Sequence, residues 1–177
     1  MTAVLERLTL EQFREKYADE KPYWEFWGGE AIQKPLPTRL HAKLQLLIAN
    51  MLQELGYRSY TELTLRIDPG WEPTPDVVAS LSPLREDYPT KPVDVVVEIL
   101  SPEDRFVKVI GKCQRYASLD IPEILVLDPV EQCAWAWHPE TGDLVRVVGE
   151  YRFRSREDVV LTMPNVWLRF NKECATE

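Results

Sequence analysis

A mixed sheet domain flanked by helices, of the α/β or α+β class, is the fold this sequence predicts. Apolar residues recur at helical spacing in separate segments, and between and after these they alternate or cluster in short runs, as strands do. Size agrees: 177 residues with 45% apolar and 28% charged content suit a single domain, residues 1–177, with its own core.

The elements follow in order. In TLEQFREKY, Thr9 stands three residues before Gln12, a capping-box spacing that predicts a helix over about residues 10–18. YWEFWGGEAIQ reads as two short strands around a Gly28-Gly29 turn. Thr38 then caps a longer helix, in which Leu44, Leu47, Ile48, Met51, Leu52 and Leu55 keep the helical period and Gly56 marks the stop. Beyond it the period falls to two. In ELTLRID, Leu63, Leu65 and Ile67 alternate with Glu62, Thr64 and Arg66, predicting a half-buried strand. PGWEPTP is a loop, DVVAS a strand and LSPLREDYPTKP a longer loop. VDVVVEIL follows as a strand, then a helix over about residues 104–118, and EILVLD is another strand. CAWAWHPETGDLVRVV predicts a hairpin turning at PETG, and short strands close the chain, so residues 131–177 form a β-rich extension.

Composition narrows the functional classes. The net charge of −8 gives no overall attraction to nucleic acid, so phosphate binding requires a local basic patch. Cys113, Cys133 and Cys174 are an odd, widely spaced set without a CxxC pair, which points away from a disulfide framework or a zinc site. The N-terminal residues lack the order of a signal peptide, and no apolar run approaches the roughly 20 residues of a membrane span. A cytoplasmic chain without membrane contact is expected. G-x-S-x-G, Walker, dinucleotide and HExxH motifs are absent, leaving serine-hydrolase, nucleotide-binding and zinc-protease readings no foothold.

One constellation carries chemistry. In VDVVVEIL, Val95, Val97 and Ile99 face one side and Asp94, Val96, Glu98 and Leu100 the other. A carboxylate inside such a run reaches water at the sheet end, pairs with a lysine or holds a cation, because burial of a lone charge costs several kcal/mol. Asp76 opens DVVAS after PTP; if the two strands are neighbours, Asp76 and Glu98 meet at one sheet edge. Two close carboxylates suit Mg²⁺ or Mn²⁺. On the following helix Arg105, Lys108, Lys112 and Arg115 recur every three or four residues as a basic stripe, a solvated face or a nucleic-acid contact. Trp135 and Trp137 share one face of a strand, fitting either the core or a dimer surface.

The ordered set PTPDVVAS, VDVVVEILSP and RFVKVIGKCQRYASLDIPEILVLDP resembles the Uma-two family of putative restriction endonucleases, within the PD-(D/E)XK nuclease superfamily. The resemblance spans about residues 20–130 and implies a restriction-endonuclease-like core with a central mixed sheet. It assigns Asp76 and Glu98 to the acidic motif positions, Lys112 to the helix lysine and Tyr116 to the tyrosine one turn on. Leu100 stands where the superfamily carries its usual lysine. Glu30 matches an upstream acidic residue that completes the metal site, and His41 matches a family position without an evident role. Lys108 departs from the pattern, replacing a common aspartate and leaving two lysines as candidates.

The resemblance implies Mg²⁺-dependent (or Mn²⁺-dependent) hydrolysis of DNA, with the metal on Asp76, Glu98, the Ile99 carbonyl and Glu30, and with Lys112 at the attacking water. Arg105, Lys108 and Arg115 would contact nucleic acid, and analogy suggests a homodimer. Two other readings stay open: a nuclease-fold module that binds without cutting, and an enzyme acting on RNA or another phosphodiester.

Overall fold

Thr9 opens the first helix through the expected reciprocal bonds: its hydroxyl accepts from Gln12 N at 3.2 Å, and Gln12 Oε1 accepts from Thr9 N at 2.8 Å. The computed structural model describes residues 7–175. Helix α1 (Leu10–Tyr17) leads to the hairpin β1 (Trp24–Trp27) and β2 (Glu30–Gln33), which turns at Gly28-Gly29. Both glycines have positive φ, +57° and +101°, as that turn requires. Thr38 caps α2 (Arg39–Glu54) by accepting from His41 N, and Gly56, at φ +91°, ends it.

The next segment departs from the predicted alternation. The strand β3 is Arg58–Thr61, and ELTLRID is not part of it. Glu62 still donates its N–H to the Asp76 carbonyl at 3.1 Å, but its φ of +52° turns the chain away beyond it. Beyond it Leu65 N bonds to the Pro73 carbonyl and Arg66 N to that of Pro89. Pro73 and Pro75 have no N–H to give, so an extended chain here finds no ladder to join. The alternation reflects packing instead: Leu65 is fully buried, while Leu63 and Ile67 are half-buried beside it. The predicted loop PGWEPTP contains a two-residue strand, β4 (Trp71–Glu72), paired with β1.

The central sheet adds β5 (Val77–Ser80), β6 (Val95–Ile99), β7 (Glu123–Asp128), β8 (Cys133–His138) and β9 (Asp143–Val147). Its order is β3-β5-β6-β7-β8-β9. Only β6 and β7 run parallel, and helix α3 (Phe106–Ser118) makes the crossover between them. The sheet divides two apolar layers. Val77, Val95, Val97, Ile99, Leu125 and Leu127 face α2, whereas Val78, Val96, Ile124 and Val126 face α3 and Trp71. The valine parity read from VDVVVEIL therefore holds, with Glu98 on the α3 side. Trp137 is buried in that second layer, with Trp135 at its margin against Phe106; the tryptophan face packs beneath α3 rather than forming a free dimer surface.

The chain does not end on strands. After β10 (Glu150–Arg152) and β11 (Val160–Thr162), helix α4 (Met163–Ala175) packs on the α2 layer through Met163, Val166 and Phe170. The tail thus adds a helix of 13 residues to its four strands. Pro164 lies in the first turn of α4, where a proline is tolerated because its missing N–H has no partner to lose. Phe170→Ala should lower stability by about 3–5 kcal/mol in a urea melt. A loss under about 1 kcal/mol would mean α4 is not integral to the core.

Candidate active site

Antiparallel pairing sets Val77 opposite Val97 and Val78 opposite Val96. One step further along that register, Asp76 stands opposite Glu98, so the two carboxylates meet at the ends of two inner strands. Ile99 N donates to Asp76 Oδ2 at 2.7 Å and locks the junction. From α2, the i,i+4 pair His41 and Gln45 reaches the same point: His41 Nε2 lies 3.3 Å from Asp76 Oδ2, and Gln45 Nε2 donates to the Asp76 carbonyl at 2.9 Å. His41 Nδ1 is buried without a partner.

Helix α3 supplies the other side. Lys112 and Tyr116, one turn apart, both contact Glu98 Oε1, at 2.8 Å from the ammonium and 2.6 Å from the donating phenol. Lys112 also donates to Glu25 Oε1 at 2.8 Å. Glu25, from β1, is buried and accepts further from Thr74 N (2.9 Å) and Trp27 Nε1 (3.1 Å). Lys34, just past β2, donates to Asp76 Oδ1 at 2.7 Å and to the Thr74 carbonyl at 2.8 Å. Three buried carboxylates and two ammonium groups therefore interlock.

The electrostatics separate the carboxylates. Burial pushes all three upward, but Lys34 and His41 more than offset it at Asp76, which is held well below the usual range. Lys112 and Lys34 likewise bring Glu25 down. Glu98 ends above its ordinary value, because burial and the Asp76 charge outweigh Lys112 and Lys34. Burial works against the charge of Lys112, but Glu25 and Glu98 raise it well beyond an ordinary lysine, so it stays an ammonium ion.

These groups form the floor of a cleft of about 1050 Å³ between the β1–β2 hairpin with its Pro35-Leu36-Pro37 exit and the N-terminal half of α3. Arg105 and Lys108 are exposed along it. The basic stripe divides here: Lys112 turns inward to the carboxylates, and Arg115 lies against the rings of Trp27 and Trp71, at 5.3 and 4.9 Å. Of the two candidate lysines, Lys112 and not Lys108 reaches Glu98. Glu30 is not brought to the site. It is exposed on β2 opposite Trp27, and the upstream carboxylate that reaches the cluster is Glu25.

Sequence reading missed Glu25, Lys34 and Gln45. Glu25 had a signal, since a carboxylate among Tyr23, Trp24, Phe26 and Trp27 poses the same question as Glu98 among valines. Lys34 had none beyond its place before a stiff proline pair.

The fold is of the restriction-endonuclease-like class. The chain belongs to the Uma2 family, described as "Putative restriction endonuclease", whose profile matches residues 10–171. A crystal structure described as a "putative nuclease belonging to DUF820", from Anabaena variabilis ATCC 29413, has the same fold: the TM-score is 0.78 at 19% identity, over 92% of this chain and 99% of that one. A partial likeness to a DrdV–DNA complex has a TM-score of 0.40 at 16% identity, over 74% of this chain and 11% of that one. No curated protein matches the sequence. Among the described residues, no helix is long and apolar enough to cross a membrane.

Proposed function

We propose that this nuclease-family chain is a divalent-metal-dependent endonuclease that hydrolyses DNA phosphodiesters in the cleft. The observation that carries the reading is Asp76 facing Glu98 across neighbouring strands on the cleft floor, with Lys112 on Glu98. The donor set is hard oxygen, which suits Mg²⁺ or Mn²⁺. Among the described residues no group of three His, Cys, Asp or Glu side chains stands ready to hold an ion. A Mg²⁺ site needs only one or two carboxylates when water completes its shell. Asp76, Glu98 and the Ile99 carbonyl would hold the ion, with Glu25 in reach through Lys112. When bound, it supplies an acidified water and a polarised phosphate oxygen.

The remaining roles belong to the side chains. Lys112 orients Glu98 and, as an ammonium ion, neutralises charge developing on phosphorus. Tyr116 fixes the Glu98 rotamer by donating to it. Arg105 and Lys108 contact the DNA backbone beside the floor. Cutting both strands of a duplex would take a second copy, so a homodimer belongs to this proposal.

Mn²⁺-dependent cleavage of genomic DNA, which presents every short sequence, tests the reading. Wild type should cut, with Asp76→Asn and Glu98→Gln at least about a hundredfold slower. Equal cutting by the variants would overturn it. One observation favours a second reading, a module that binds without cutting: Lys34 and Lys112 already neutralise the carboxylates. On that reading Mn²⁺ does not bind the wild type.

A further inference from the structure

We infer that Lys34 is a built-in plug of the cation site: its ammonium occupies Asp76 Oδ1, and a divalent ion gains Asp76 only by displacing it. The inference rests on the reading of Asp76 and Glu98 as metal ligands, and adds a residue that sets how tightly the ion is held.

Both Asp76 oxygens are engaged, and on Oδ1 the partner is a full positive charge that repels an incoming cation. Oδ2 is taken by Ile99 N at 2.7 Å and His41 Nε2 at 3.3 Å, and Oδ1 by Lys34 at 2.7 Å. The Ile99 amide belongs to the end of an inner strand and His41 to a buried helix face, so neither yields cheaply. Lys34 is different. It hangs from the end of β2 by a flexible four-carbon stem, its side chain lines the open cleft, and its other acceptor is a single carbonyl, that of Thr74. Its backbone is pinned, with Lys34 N donating to the Tyr23 carbonyl at 2.8 Å and Pro35 following. The ammonium is thereby tethered beside Asp76 at high effective concentration. Lys112 does the same for Glu25 and Glu98, but it is mounted inside α3 and touches both carboxylates. Lys34 is the cation built to move. Once released, it stays in the cleft, where a phosphodiester would lie.

The sign of the effect separates this role from a structural one. A residue that supports a metal site lowers affinity when removed; a competing cation raises it. Mn²⁺ titration by calorimetry on metal-stripped protein should find Lys34→Met binding at least about tenfold tighter than wild type. Adding Glu98→Gln to that variant should abolish the gain, which places the ion at this site. Lys34→Gln, whose amide still donates to Asp76, carries the test if the methionine variant fails to fold, and should also bind more tightly. Equal or weaker binding by both Lys34 variants, with wild type binding normally, overturns the plug and leaves the metal reading standing. Binding by the variants but not by wild type supports the plug in full. No binding by any form overturns both.

Discussion

Lys112→Met should unfold about 3–5 kcal/mol more easily than wild type in a metal-free urea melt. Among the described residues Lys112 is the only cation in contact with both Glu25 and Glu98, each buried and each 2.8 Å from it. Methionine fills much the same volume but leaves two carboxylates without their ammonium. Glu25 retains Thr74 N and Trp27 Nε1, and Glu98 retains Tyr116, and neither set carries a full positive charge. The cost of an uncompensated buried charge exceeds the worth of the pair itself, which is why removal of one partner is so damaging. Cleavage should vanish in the same variant. A melt within about 1 kcal/mol of wild type would mean that the carboxylates reach water and that the cluster is looser than its distances imply.

Asp76→Asn and Glu98→Gln should both abolish cleavage yet separate in stability. An asparagine offers one oxygen where Asp76 uses two, so either Lys34 or the Ile99 amide loses its acceptor; the expected loss is about 3 kcal/mol. Glutamine at position 98 keeps an acceptor for Tyr116, leaves Lys112 on Glu25, and relieves a carboxyl already pushed upward by burial and by Asp76. Its stability should lie within about 1 kcal/mol of wild type, or above it. The pH dependences have opposite signs. Asp76, held below its ordinary 3.8, contributes stability that is full above that value and is lost as pH falls through the folded value. Glu98, raised above its ordinary 4.5, contributes stability that is full below that value and is lost as pH rises through the folded one. Urea melts from pH 3 to 8 should therefore show Glu98→Gln gaining on wild type as pH rises, and Asp76→Asn converging with it in acid. Parallel curves for all three proteins would contradict this assignment.

The local signals in the sequence were sound where a short-range rule governs. The Thr9 and Thr38 caps, the glycine hairpin, the valine parity and α3 all follow from spacing, and Asp76 and Glu98 meet because strands joined by a loop pair as neighbours. Rules of that kind fail where tertiary contacts decide. Leu63, Leu65 and Ile67 alternate in order to pack, with no partner strand, and α4 is helical because Val166 and Phe170 find the α2 layer despite an unpromising start at Pro164. The site was half legible for the same reason. Lys112 meets Glu25 across 87 residues of sequence and Lys34 meets Asp76 across 42, pairings that only the docked hairpin creates. Glu30 was the nearer guess by motif, but it stands at the turn end of the hairpin and is exposed, whereas Glu25, on the same face, lies within β1 against Thr74 N and Lys112.

The most direct test of the central claim is the anomalous scattering of a crystal soaked in Mn²⁺. The account predicts a peak between the Asp76 and Glu98 carboxylates, with the Lys34 ammonium withdrawn from Asp76 into the cleft. Lys34 and Lys112 still seated on those carboxylates at saturating Mn²⁺, with no peak at the site, would contradict it.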